Sequence, residues 1–142
     1  SDVPITIEPT MTNTLEVKPV SVSSSDIVNI NGIRYFSDKE YVRVVIDLSS
    51  NAEYKSHWLK EDKSIQKPPR LMIDIFNSTI DKDVSREISI KDGLLRSVRL
   101  GYHAGDKSTR VVLDSENVKD YTVFQLSGPS RIVIDVFSGS FL

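Results

Sequence analysis

Val42-Arg43-Val44-Val45-Ile46-Asp47 returns later in the chain as Thr109-Arg110-Val111-Val112-Leu113-Asp114. Seven residues after each Asp stands a Tyr, Tyr54 and Tyr121, and five residues further a Leu, Leu59 and Leu126. Arg70-Leu71-Met72-Ile73-Asp74-Ile75-Phe76 then answers Arg131-Ile132-Val133-Ile134-Asp135-Val136-Phe137, and Ile33-Arg34-Tyr35 ahead of the first copy answers Val98-Arg99-Leu100 ahead of the second. Four matched blocks in one order at near-equal spacing mark an internal duplication. Each block is β-branched and short, bounded by turn residues such as Asn31-Gly32, Pro68-Pro69, Asp92-Gly93 and Gly128-Pro129, which is the signature of strands. We read strands at 28–36, 41–49, 53–60 and 70–77 in copy one and at 95–103, 109–115, 119–126 and 130–137 in copy two. Residues 81–88 allow one helical turn.

Side chains alternate between the two sides of a strand. Val42, Val44 and Ile46 therefore share one face, while Arg43 and Asp47 share the other. The same parity groups Ile73, Ile75, Val111, Leu113, Ile134 and Val136 on the apolar face. It sets Arg70, Asp74, Arg110, Asp114, Arg131 and Asp135 on the opposite one. A four-strand unit with one apolar face cannot bury that face alone, so copy one is expected to pack on copy two. The expected fold is all-β, a sandwich of two packed sheets, with rows of Arg and Asp on its two outer faces.

The 142 residues suit one domain, and the formal charge of −2 arises in residues 1–25, which hold three acids and one Lys. That segment has nine Ser or Thr, three Pro and no aromatic, and reads as a linker or loosely attached edge strand before a domain over 26–142. Beginning at Ser1 without an initiator Met is expected of a processed or excised chain. The domain itself is charge-balanced and lacks the basic excess of a nucleic-acid binder. No apolar run approaches the ~20 residues of a membrane span. With no Cys and only His57 and His103, in no ligand spacing, neither a cysteine nucleophile nor a zinc centre is expected. No catalytic residue, metal or cofactor is assigned, and there is no Gly-x-Ser-x-Gly elbow or nucleotide-binding glycine loop.

The segments Gly32-Ile33-Arg34-Tyr35-Phe36-Ser37, Arg43-Val44-Val45-Ile46-Asp47-Leu48, Asp92-Gly93-Leu94-Leu95-Arg96-Ser97-Val98-Arg99, Arg110-Val111-Val112-Leu113-Asp114 and Arg131-Ile132-Val133-Ile134-Asp135-Val136-Phe137 resemble the AMIN domain. That family is a non-catalytic module found ahead of the zinc-dependent catalytic domain of periplasmic N-acetylmuramoyl-L-alanine amidases, and also in secretins of type IV pili. The resemblance implies an extracytoplasmic or periplasmic chain that binds peptidoglycan and places a cell-wall hydrolase at the division site, the catalytic domain lying elsewhere in the parent polypeptide. The alternative it implies is a protein-interaction domain in a secretin or division complex. The 60–67 loop, Lys60-Glu61-Asp62-Lys63-Ser64-Ile65-Gln66-Lys67, has only a short counterpart in copy two.

The candidate ligand-binding residues are Arg34, Arg43, Asp47, Arg70 and Asp74 with Arg99, Arg110, Asp114, Arg131 and Asp135. Guanidinium and carboxylate groups of this kind bind sugar hydroxyls, amides and stem-peptide carboxylates. They equally form exposed cross-strand ion pairs of ~0.2–1 kcal/mol each. Tyr35, Phe36, Tyr41, Tyr54, Trp58, Tyr102 and Tyr121 are available to stack on sugar rings, with Trp58 and Tyr102 as the candidates. The recurrence of Tyr54 as Tyr121 favours packing for that pair.

Overall fold

The computed structural model describes residues 27–139. The expectation for residues 1–25 lies outside them. Ten strands follow in order: β1 Val28–Ser37, β2 Tyr41–Leu48, β3 Tyr54–Leu59, β4 Arg70–Ile75, β5 Ser78–Ile80, β6 Glu87–Ser89, β7 Leu95–His103, β8 Ser108–Ser115, β9 Asp120–Leu126 and β10 Arg131–Phe137. They form two five-stranded sheets, β5-β1-β2-β10-β9 and β3-β4-β8-β7-β6, with the core between them. Of the 81–88 segment, Asp81–Val84 forms one turn closed by the Val84 amide donating to the Asp81 carbonyl at 3.0 Å, and the rest runs into β6, because Glu87–Ser89 pairs with Ser97–Arg99 of β7. The connection between the copies thus contributes one short edge strand to each sheet.

The copies do not pack as one sheet each. β1 and β2 of copy one lie beside β10 and β9 of copy two, and β4 and β3 beside β8 and β7. Replacing each strand by its repeat partner turns one sheet order into the reverse of the other, so the pseudo-two-fold axis exchanges the sheets. The cause is backbone satisfaction. After β2 the chain crosses to the other sheet at 49–53, leaving β1–β2 as a bare two-stranded ribbon, which is marginal by itself. Joining the ribbon to β9–β10 along β2 and β10 fills the ladder that would otherwise be an exposed edge. β8 and β4 close the second sheet in the same way.

The inner faces hold the residues that parity assigned to them. Val42, Val44, Ile46, Ile73, Ile75, Val111, Leu113, Ile134 and Val136 are all fully buried in one cluster. Each copy carries a bulge at the same repeat position, between Ile30 and Gly32 in β1 and between Leu95 and Ser97 in β7. A bulge admits one unpaired residue and resets the alternation. Ile30 and Leu95 therefore still reach the core, while Arg34 and Arg99 point outward.

Candidate functional site

The register makes each outer face a grid. Across β1, β2, β10 and β9 the rows are Phe36–Arg43–Asp135–Thr122, Arg34–Val45–Val133–Phe124 and Gly32–Asp47–Arg131–Leu126. Across β7, β8, β4 and β3 they are Gly101–Arg110–Asp74–Lys55, Arg99–Val112–Met72–His57 and Ser97–Asp114–Arg70–Leu59. All ten charged candidates therefore fall on the two outer faces, five on each, at repeat-equivalent positions.

Four bidentate forks organise them. Arg43 donates from Nε and Nη2 to the two oxygens of Asp135 at 2.8 and 2.9 Å, and Arg110 does the same to Asp74 at 2.8 and 3.2 Å. Arg34 forks onto Asp47 at 2.8 and 2.9 Å, and Arg99 onto Asp114 at 2.6 and 3.1 Å. Arg131 and Arg70 each donate Nη1 to the carbonyl two residues earlier, Pro129 and Pro68. The side-to-side Arg–carboxylate fork fixes both groups in the plane that matches their geometry.

The expectation of solvent-exposed pairs needs correcting. Asp74, Asp114, Arg131 and Asp135 are buried, at 7–8% exposure. The reason is the middle row: Val45, Val133 and Val112 face outward yet are buried, so the long Arg stems lie over them and draw the forks down onto the sheet. Burial alone would push the Asp114 carboxyl up. Hydrogen bonds from Arg99 and Ser97, with the charges of Arg99 and Arg70, outweigh it and hold that carboxyl below its usual range. Hydrogen bonding to their carboxylates raises the Arg99 and Arg110 guanidinium groups in turn. Solvent meets mainly the guanidinium edges, Arg34, Arg99 and Arg110 being more exposed than the carboxylates they hold.

The two faces depart from symmetry in their aromatic residues. Phe36, 52% exposed, stands where the other face has Gly101, and Phe124 where it has His57. Tyr41 and Phe137 sit side by side at the end of the first grid, ring centroids 6.3 Å apart. Phe36 and Tyr41 were unassigned among the sequence aromatics, and Phe124 and Phe137 were missed altogether; their parity with the Arg and Asp rows was the signal. Trp58, by contrast, is turned inward. It is half-buried against the core and stacks on Tyr121 at 5.9 Å and 16°, because Trp58 pairs with the core residue Leu71. Tyr102 is 43% exposed at the far end of β7, paired with Thr109, on the core side of the sheet rather than in the charged grid. Tyr54 and Tyr121 both pack against the core. His57 lies 3.7 Å from Asp74, and among the described residues no three His, Asp or Glu side chains gather as a metal-ligand set.

The AMIN domain profile matches residues 60–123 and 103–141, from the β3–β4 loop to the last strand. No curated protein matches the chain. AMIN domains are non-catalytic, peptidoglycan-binding targeting modules of envelope proteins. With the matched segments spanning more than half of its length, this duplicated β-sandwich belongs to the AMIN domain family.

Proposed function

We propose that this chain holds peptidoglycan on its outer faces and so localises a cell-wall amidase, joined to it in the parent polypeptide, at the wall or division site of the periplasm. The observation that carries the reading is the repeated grid. Four Arg–Asp forks, equivalent in pairs under the pseudo-two-fold axis, lie on the two outer faces of the sandwich. A polymer that touches both faces gains avidity from two weak sites without a deep pocket. On the first sheet the forks lie beside the exposed ring of Phe36 and the half-buried rings of Tyr41, Phe124 and Phe137, the combination suited to sugar rings and their polar substituents. Sedimentation with purified sacculi tests the reading: the domain is expected in the pellet at low salt and progressively in the supernatant as salt rises, since exposed charge contacts are screened within ~10 Å at 0.1 M. Retention of the whole protein in the supernatant at low salt refutes it, and capture by wall-free envelope extract would favour the protein-interaction alternative.

A further inference from the structure

The largest departure from the pseudo-two-fold axis is the β3–β4 connection. It occupies residues 60–69, whereas its counterpart between β9 and β10 occupies only 127–130. The longer connection is a built structure. Asp62 and Lys67 exchange backbone hydrogen bonds at 2.9 Å in both directions, and Asp62 caps the short 3-10 turn Lys63–Ile65 by accepting from the Ser64 amide. Gln66 in the left-handed region then turns the chain back toward β4.

This hairpin and the β6–β7 side of the second sheet line an open cleft of about 430 Å³, with Gln66, Lys67 and Pro68 on one side and Glu87, Ser89, Lys91, Arg96, Ser97, Arg99 and Asp114 on the other. Four of these side chains are cationic and two are acidic. Arg99 is spoken for by Asp114 and Arg96 by Glu116 at 3.0 Å. Lys67 and Lys91 are exposed and have no carboxylate at ion-pair distance among the described residues. With those two pairs set aside, Lys67, Lys91 and Glu87 remain, so the cleft carries one net positive charge and one cation on each wall, beside amide and hydroxyl groups from Gln66, Ser89 and Ser97. On the first sheet the short 127–130 turn builds no such wall.

We infer that the cleft between the 60–69 hairpin and β6–β7 is a carboxylate-binding subsite for a short acidic peptide, with Lys67 and Lys91 as the groups that receive the carboxylates. A peptide suits it better than a phosphate polyanion, because a single net positive charge with Glu87 in the lining disfavours dense negative charge while the mixed donors and acceptors match peptide amides. Set within the wall-binding reading, on which this inference builds, the occupant is the stem peptide rather than the glycan. The two faces then divide the polymer between them, aromatic rings for sugar on one and paired cations for peptide on the other.

The probe is the free acidic wall tripeptide L-alanyl-γ-D-glutamyl-diaminopimelate, titrated into the domain by calorimetry and by amide NMR. Binding is expected with shifts concentrated at 63–68 and 87–99, and with loss of affinity when the peptide carboxylates are amidated. Lys67→Ala with Lys91→Ala is expected to weaken the tripeptide roughly five- to tenfold, the loss of two charge-assisted contacts at an exposed site, while Lys119→Ala on the other sheet leaves it unchanged. Urea midpoints confirm that the variants fold. No tripeptide binding at millimolar concentration, equal affinity in the double variant, or equal competition by inorganic phosphate overturns the inference. Sacculus sedimentation in parallel separates the two claims: a parent domain that pellets with sacculi but ignores the tripeptide loses only the subsite, and one that binds the tripeptide but not sacculi loses only the wall-binding reading.

Discussion

Arg43 belongs to the first repeat and Asp135 to the second, and their fork closes over the seam between β2 and β10 with the side chains only 17% and 10% exposed. Its symmetry mate, Arg110 with Asp74, closes the β8–β4 seam. Each sheet is thus clasped at the line where the two copies meet. The residues that make the grid are also part of what holds the duplicated fold together.

Removing Arg43 leaves the buried Asp135 carboxylate without its fork. Arg43→Ala is therefore expected to lower stability by about 1–3 kcal/mol, the cost of an orphaned buried acceptor, more than the little expected of an exposed pair. Arg96→Ala, which breaks the exposed Arg96–Glu116 pair, should cost under about 1 kcal/mol. Urea denaturation of both variants checks the contrast, and equal losses would show that the seam fork behaves as an ordinary surface pair. One consequence is that Arg→Ala changes at the seam confound binding with folding.

Ile73 and Ile134 occupy equivalent places in β4 and β10, both fully buried. Truncating either to Ala is expected to cost about 2–5 kcal/mol through lost transfer energy and a residual cavity. Because the pseudo-two-fold axis relates the sites, similar losses are expected at both. A loss below about 0.5 kcal/mol at either, less than a mild Ile→Val change, contradicts the assignment of faces.

Acid should reveal Asp114. Its folded-state carboxyl lies below the ordinary range, because the Arg99 hydrogen bonds and charge, helped by Ser97 and Arg70, outweigh burial. A depressed folded pKa means that the unfolded chain binds the proton first as pH falls. The stabilisation is whole above about pH 4, the ordinary carboxylate value, and drains away as pH drops through the lower folded value. Urea midpoints between pH 6 and pH 2 should fall less steeply for Asp114→Asn than for the parent. Identical slopes would remove this carboxylate from the acid response.

Phe36 offers a cleaner test of the aromatic face than any Arg. It is 52% exposed, so Phe36→Ala is expected to shift stability by no more than about 0.5 kcal/mol while reducing retention on sacculi. Placing an aromatic at the mate position, Gly101→Phe, meets open space and is expected to fold normally. If sacculus retention is indifferent to Phe36→Ala, the rings on the first sheet are not ligand contacts.

The strand set and the inward and outward faces were legible in the sequence because alternation is a local property of the backbone, and the duplication repeated the same message in both copies. Val44 and Ile73 could be placed inside, and Arg43 and Asp74 outside, without knowing any partner. Short β5 and β6 were not legible, since three-residue strands carry no period and exist only because β1 and β7 offer an edge. Nor could sequence say which strands share a sheet. Arg43 has the same local surroundings whether its neighbour is Asp135 or a residue of its own copy, and only closure of the β2–β10 ladder decides. The same holds for burial of the forks, which depends on Val45 and Val133 meeting across that seam, and for Trp58, turned inward by pairing with Leu71. Distance along the chain hid the cleft as well: Lys67 and Lys91 become one site only because the hairpin after β3 and the edge of β7 lie on the same side of one sheet.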